Sequence, residues 1–465
     1  MPSPGSHSID MLKIHNPATG DLIAEVPQAS AEIVAERAHA ARIAQVAWAA
    51  RPMVERLDIL QRFRVALTAE VEPLAVTLTS EVGKPIRQSR GEINGLLARI
   101  DFFLAQAQAA VASEAVFDDG STRELIGHDP LGVVANISAW NYPYFVGGNV
   151  FVPALLTGNA VLYKPSEFAT LTGLHIARLL HDAGVPTEVF VPLVGAGTVG
   201  SALLEQKLDG VFFTGSHATG RRIAQALAPR FIKLQLELGG KDPTYVCEDA
   251  DVRAAAESLA DGAMYNTGQS CCSVERIYVH ERIHDAFVEA FLATVRGFQL
   301  GDPLLETTYL GAITRASQLD VLGAQVADAK AKGARLRLGG ARLARPGNWF
   351  EATVFTDVNH TMDVMREESF GPIIGIQKVR GDDEALALMN DTRYGLTAGV
   401  FSRDEARARA LLARVNAGSV YWNCCDRVSP RLPWSGHGDS GIGLTLSTHG
   451  IQTFTRPRAW HLRQP

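Results

Sequence analysis

From residue 31 to 115 apolar side chains return at helical spacing, as in Leu57, Leu60 and Phe63, with charges on the other faces of Ala-rich runs. That spacing predicts a helical stretch. Beyond it the period changes. Short uncharged runs rich in β-branched and aromatic residues appear: GVVANI at 132–137, AVLYK at 160–164, VFVPL at 189–193 and GVFFT at 210–214. Helical patterns separate them, at 144–156 before Gly158 and at 170–183, closed by Gly184 and Pro186. Strands that are apolar on both sides and alternate with helices predict a parallel sheet with helical crossovers, the pattern of a nucleotide-binding α/β domain.

A second α/β unit begins after Leu238. Its helices are expected at 251–265 and 282–296, and its strands at RIYVH 276–280, IIGIQKV 373–379, AGVFS 398–402 and GSVYW 418–422. The 331–349 region, rich in Gly, Arg and Ala, reads as surface turns. Two or three structural units suit a chain of 465 residues, which exceeds one ordinary core.

Composition narrows the class. With 46% hydrophobic and 20% charged residues the chain has a normal soluble globular balance, and a net charge of -6 without a basic block offers nothing for nucleic acid to bind. The five cysteines, at 247, 271, 272, 424 and 425, form no disulfide framework and fit a reducing, cytoplasmic setting. The opening MPSPGSHSID lacks a secretory pattern. Leu131 to Tyr163 carries no charge and is long enough to span a bilayer. Its Asn136, Asn141, Asn149 and Asn159, with Pro143 and Pro153, would be costly in lipid, so it divides better into strand, helix and strand. No membrane span is expected.

The strongest local chemical signal is Asn266-Thr267-Gly268-Gln269-Ser270-Cys271, at the boundary between a helical segment and a strand. A cysteine there is either a nucleophile or packing, and composition alone favours packing. Other motifs lie along the chain: Asn16-Pro17-Ala18-Thr19-Gly20, Trp140-Asn141-Tyr142-Pro143, Lys164-Pro165-Ser166-Glu167, Phe213-Thr214-Gly215-Ser216, Glu237-Leu238-Gly239-Gly240, Glu368-Ser369-Phe370-Gly371-Pro372, Pro433-Trp434-Ser435-Gly436 and Ser440-Gly441-Ile442-Gly443. In this order, across nearly the full chain, they resemble the aldehyde dehydrogenase superfamily.

The resemblance implies an α/β fold with a parallel-sheet cofactor-binding domain (1–118 and 131–238), a catalytic domain (239–438) and oligomerisation segments (119–130 and 446–460). It implies NAD(P)-dependent oxidation of an aldehyde to a carboxylic acid through a thiohemiacetal and thioester on Cys271. Asn141 and the Cys271 backbone N–H would stabilise the oxyanion, and Glu237 would activate the hydrolytic water. Cys272 is read as a packing neighbour.

The same resemblance puts Lys164 and Glu167 at the adenosine ribose, Ser216 at the pyrophosphate, and Glu368 and Phe370 on the nicotinamide side. Ile137, Ser138, Trp140, Ser166, Gly197, Phe213, Gly215 and Leu238 complete the expected cofactor contacts. A carboxylate at 167 favours NAD over NADP, whose 2′-phosphate it would repel, while leaving dual use open. Gly195, Gly197 and Gly200 imitate the dinucleotide fingerprint only weakly.

Substrate contacts are expected from Asn149, Tyr265, Arg427 and Arg431, alongside Tyr144, Phe145, Ser270, Cys272 and the 424–434 segment. Either arginine would suit a substrate carboxylate; simple aliphatic and aromatic aldehydes are equally compatible. No metal is expected, because no HExxH or Cys/His cluster is present, and no GxSxG elbow suggests a serine hydrolase. A CoA-acylating relative generally lacks the base at Glu237, so water is the expected acyl acceptor. A structural protein would need none of Cys271, Glu237 and Asn141. The expected assembly is a homodimer, with a homotetramer as the alternative.

Overall fold

A computed structural model describes residues 10–464. The first nine residues, where the expected cofactor-binding segment starts, and Pro465 lie outside them. Four helices, Ala31–Ala50, Met53–Ala69, Val71–Val82 and Ile86–Ala110, occupy the stretch read as helical. Ser30 opens the first: its hydroxyl accepts from the Ile33 amide at 3.3 Å, satisfying a donor that a helix start leaves open. Helix ends at Ala110, short of the expected 115, and Glu114–Asp118 is a strand. Trp48, Phe63, Leu78 and Phe103 from these helices are buried in one core with the first sheet.

That sheet runs in the order Gly441–Ile442, Lys233–Glu237, Gly210–Thr214, Val133–Ile137, Ala160–Lys164 and Phe190–Pro192. Only Gly441–Ile442 is antiparallel to its neighbour. Val133–Ile137, Ala160–Lys164 and Gly210–Thr214 are buried at every residue, which is why they read as uninterrupted apolar runs. From Val133–Ile137 the chain steps outward through 160–164 to 190–192, then returns to 210–214 and 233–237 on the other side. Such a reversal leaves a crevice at the carboxyl ends of the strands, where ligands bind in open α/β sheets.

The second sheet has seven strands, in the order Arg335–Leu338, Thr353–Thr356, Ile373–Val379, Val274–His280, Asp242–Val246, Thr397–Phe401 and Ser419–Trp422. Alternation along its strands feeds two separate cores: Tyr245, Tyr278 and Ile373 join one, and Val246, Ile277 and Ile374 the other. Within 331–349, read as surface turns, Arg335–Leu338 adds an antiparallel edge strand. Its Arg-Leu alternation suits a strand at the sheet margin.

A three-stranded antiparallel sheet, Thr455–Arg463 on Thr122–Pro130 on Glu114–Asp118, stands apart from these cores. It begins at Glu114 rather than 119 on one side, and at Thr455 on the other. The preceding Leu446, Ile451 and Phe454 are buried in the first core, where Phe454 stacks on Phe212 at 4.5 Å. Among the described residues no helix is long and apolar enough to cross a membrane. The uncharged stretch from Leu131 resolves into Val133–Ile137, the helix Pro143–Leu156 and Ala160–Lys164.

Candidate active site

The helix Val252–Met264 runs into a single turn, Tyr265–Gly268, in which three successive residues are left-handed: Asn266 (φ 52°), Thr267 (φ 58°) and Gly268 (φ 70°). For Asn and Thr this conformation is strained, so the surroundings must impose it. Asn266 donates its backbone N–H to Gln88 Oε1 at 2.9 Å, and its side-chain amide to the carbonyls of Gln269 (3.0 Å) and Asn141 (3.2 Å). Thr267 Oγ1 accepts from Gly311 N at 2.9 Å, and Gln269 Oε1 from Thr314 N at 2.9 Å. A Cβ at Gly268 would fall 2.2 Å from the Gly371 carbonyl oxygen, so only glycine fits between this turn and the 371–372 segment. The clamped turn delivers Cys271, half-buried, beside a buried Cys272.

Those two thiols are differently engaged. Cys272 donates to Asp426 Oδ1 at 2.9 Å and lies 3.5 Å from Ser270 Oγ. For Cys271, a hydrogen bond with Cys272 favours the thiolate, but burial and the charges of Glu237, Asp242 and Asp426 outweigh it and push the thiol's pKa up. All five cysteines are free, and among the described residues no cluster could hold a metal ion.

Asn141 reaches the same turn from the other domain. It is 4% exposed, and its side-chain amide donates to the Gln269 carbonyl at 3.2 Å. Its own carbonyl accepts from Lys84 Nζ at 2.6 Å. Lys84 pairs with Glu92, both fully buried, and Glu92 in turn accepts from the Tyr144 amide at 2.8 Å. One buried ion pair therefore grips the 141–144 turn at both ends. Sequence reasoning missed Lys84 and Glu92, because no local period distinguishes them from surface charges.

Glu237 ends the strand Lys233–Glu237, opposite Thr214 on one side and Gly441 on the other. It is 4% exposed. Trp434 Nε1 donates to its Oε1, and Thr214 Oγ1 to its Oε2 at 3.3 Å. Burial raises its pKa, against the opposing pull of those two donors and of Arg99.

Most of the expected cofactor residues gather at the carboxyl ends of the first sheet's strands. Ile137 ends one strand with Ser138 just beyond it, and Lys164 ends the next with Ser166 two residues further on. Lys164 Nζ lies 3.8 Å from Glu167 and donates to the adjacent Pro165 carbonyl. After the strand containing Phe213, Gly215 N donates to the Glu237 carbonyl at 3.0 Å, and Ser216 caps the helix His217–Leu227. Gly197 is the first residue of the helix Gly197–Leu204. Leu238 lies under Gly220, where a Cβ would approach it to 2.6 Å.

Glu368 and Phe370 come from the second domain. Glu368 Oε1 accepts from Gly240 N at 3.1 Å, and a Cβ at Gly239 would collide with the carboxylate at 2.1 Å. Burial, reinforced by the Glu275 charge, pushes the Glu368 pKa up to about 8. Glu275 is itself paired with buried Lys241 at 2.6 Å and accepts from Ser369 N and Phe370 N, which holds Phe370 at φ 47°. The Phe370 ring then meets Trp140 edge-on at 5.5 Å. Lys241 and Glu275 were also not legible in the sequence.

On the expected substrate side, Asn149 is buried and Tyr265 half-buried. Arg427 and Arg431 are exposed, and neither forms an ion pair among the described residues. The buried cation beside Asn149 is Arg99, whose Nε donates to Asn149 Oδ1 at 3.1 Å.

The Aldehyde dehydrogenase family pattern matches residues 5–460. A 3,6-anhydro-alpha-L-galactose dehydrogenase of Streptomyces coelicolor is 37% identical over 458 residues, 97% of this chain and 93% of that protein. An NAD-dependent aldehyde dehydrogenase of Sinorhizobium meliloti has a similar structure, with a TM-score of 0.95 and 34% identity, covering 98% of this chain and 92% of that one. An NADP dependent enzyme of E. coli gives a TM-score of 0.95 at 30% identity, covering 98% and 95%.

Proposed function

The chain belongs to the aldehyde dehydrogenase family, and we propose that Cys271 is the nucleophile of the NAD(P)-dependent aldehyde oxidation it performs. The observation that carries this reading is the 3.2 Å hydrogen bond from the Asn141 side-chain amide to the Gln269 carbonyl, which ties a fixed donor to the turn bearing Cys271.

In this mechanism the Cys271 thiol gives its proton to water, directly or through Glu237, and the thiolate adds to the aldehyde carbon. The carbonyl oxygen gains charge and accepts from the Asn141 amide and the Cys271 N–H, both pre-positioned before charge develops. A dinucleotide held by the residues at the carboxyl ends of the first sheet would supply the hydride acceptor. Loss of hydride from the adduct leaves a thioester on Cys271. Glu237 then takes a proton from water, hydroxide equivalent adds to the thioester carbon, and the carboxylic acid leaves as the C–S bond breaks. A carboxyl whose pKa is raised by burial suits this role, since its carboxylate is a stronger base than one in water.

The dinucleotide fits the residues present. Lys164 and Glu167 offer a donor and an acceptor to ribose hydroxyls, the Ser216-capped helix start offers amides to a pyrophosphate, and Trp140 and Phe370 provide apolar walls. The Glu167 carboxylate supports NAD over NADP. Mixing enzyme, aldehyde and NAD, then weighing the intact protein, tests the whole reading: an acyl adduct on Cys271 is expected, and NADH formation without one would overturn it.

Exposed Val116, Phe117, Trp460 and Leu462 on the three-stranded sheet support a homodimer, or a tetramer of two such pairs, joined through that sheet. A single monomeric species in sedimentation would contradict it. A cytoplasmic location, consistent with five free thiols, completes the proposal.

A further inference from the structure

Arg99 is a buried cation that no carboxylate among the described residues touches in a salt bridge. It lies on the helix Ile86–Ala110 and is 5% exposed. A guanidinium has five N–H donors. Here Nε donates to Asn149 Oδ1 at 3.1 Å and Nη1 to the Gly95 carbonyl at 3.2 Å; Nη2 has no hydrogen-bond partner among the described residues. No carboxylate among them forms an ion pair with it either. Other buried cations are provided for: Lys84 by Glu92, Lys241 by Glu275, and Arg276 by three carbonyls and the Tyr278 hydroxyl.

The side chain is held in a stacked column. Its guanidinium lies 3.8 Å over the Phe145 ring, and Phe145 stacks on Tyr142 at 5.7 Å, which faces Lys84 at 3.9 Å. A Cβ at Gly95, one helical turn before Arg99, would strike the Phe145 ring at 2.5 Å, so only glycine leaves room for this column. Phe145 and Asn149 are also one turn apart, on the helix that begins just after Asn141. Arg99 is close enough to Glu237 for its charge to favour that carboxylate, and its own pKa responds to the charges of Glu92, Glu237 and Cys272. Burial lowers that pKa to about 10, which leaves the group cationic at neutral pH.

We propose that Arg99 and Asn149 form the subsite for the substrate's tail, and that it selects aldehydes carrying a carboxylate. A hydroxyl would satisfy the free N–H groups, but an anion would also place a countercharge in direct contact, which no carboxylate among the described residues does. The outer edge of the guanidinium, with Nε turned to Asn149, is the edge that grips a carboxylate with two parallel hydrogen bonds. This inference rests on the aldehyde oxidation proposed for Cys271, because it names the substrate of that site.

Steady-state kinetics on two matched pairs tests it: succinate semialdehyde against butanal, and 4-formylbenzoate against benzaldehyde. For at least one pair the unaltered enzyme should favour the carboxylated member by kcat/KM. Arg99→Met should lower that selectivity ratio by about 30-fold or more, chiefly through KM, with Arg99→Lys between the two. Taking the ratio cancels any general damage from the substitution. A neutral preference in the unaltered enzyme, or a ratio unmoved in Arg99→Met, would overturn the proposal. Calorimetric titration with succinate gives a readout independent of turnover, and Arg99→Met should bind it about tenfold more weakly. An enzyme that oxidised none of the four aldehydes would count against the oxidation at Cys271, while the succinate titration would still decide the role of Arg99. Equal binding of succinate by both proteins would refute it.

Discussion

Trp434 donates its indole N–H to the carboxylate of Glu237, although nearly two hundred positions separate them. The donor favours the ionised carboxylate and works against the burial that raises its pKa. Removing it in Trp434→Phe should therefore raise the Glu237 pKa further. Because the ionised form is the base, the acid limb of the kcat profile should move to higher pH. A profile unchanged from the parent enzyme would separate this hydrogen bond from catalysis.

Cys271 and Glu237 should fail at different steps. Cys271→Ala should form no acyl adduct and lose turnover by about 1000-fold or more. Glu237→Gln should still acylate and give a burst of NADH, but slow steady-state release by roughly 100-fold, within the range of a lost general base. Rapid mixing with intact-mass detection reads both. Normal turnover in the first variant, or no acyl accumulation and no loss of rate in the second, would remove the assigned role.

Lys84→Met leaves Glu92 without its ion-pair partner where neither side chain has any exposure. The cost should be about 3–5 kcal/mol of stability, seen as an earlier denaturant midpoint. Lys84→Met/Glu92→Leu should recover much of that loss. It should still show a reduced kcat, because the Asn141 carbonyl then loses the Lys84 donor and keeps only the longer hydrogen bond from the Asn266 amide. Full activity in the double variant would mean that the pair does not position Asn141.

Glu167 stands at the expected ribose side of the cofactor, beside Lys164. Glu167→Gln should shift the ratio of kcat/KM for NAD over NADP towards NADP by about tenfold, the scale of one hydrogen bond to a charged group. A ratio that did not move would place cofactor choice elsewhere.

Much of the architecture could be read along the chain. Strands such as 160–164 and 210–214 were placed to the residue, since a strand covered on both faces writes an unbroken apolar run into the sequence. Edges were less legible. Glu114–Asp118 continues the composition of the helix before it, and Arg335–Leu338 alternates arginine with leucine in a region otherwise resembling a loop. Both pair on few sides, so packing imposes little pattern on them.

The candidate reacting residues were visible because Cys271, Asn141 and Glu237 sit inside short motifs whose order along the chain carries the resemblance. What holds them was not. Lys84 on the Asn141 carbonyl, Glu275 under Phe370, Trp434 on Glu237 and Arg99 beside Asn149 each join segments far apart in sequence. The sequence by itself determined the alternation of helices and strands, the two-unit α/β class and the identity of the candidate nucleophile, because local periodicity and contiguous motifs encode these. Tertiary structure decided which charges are buried and what partners them. An arginine in a helix reads alike whether it faces water or the interior, and only the folded chain, by withdrawing solvent from Arg99 and setting it against Asn149 and Phe145 with no salt bridge, distinguishes the two.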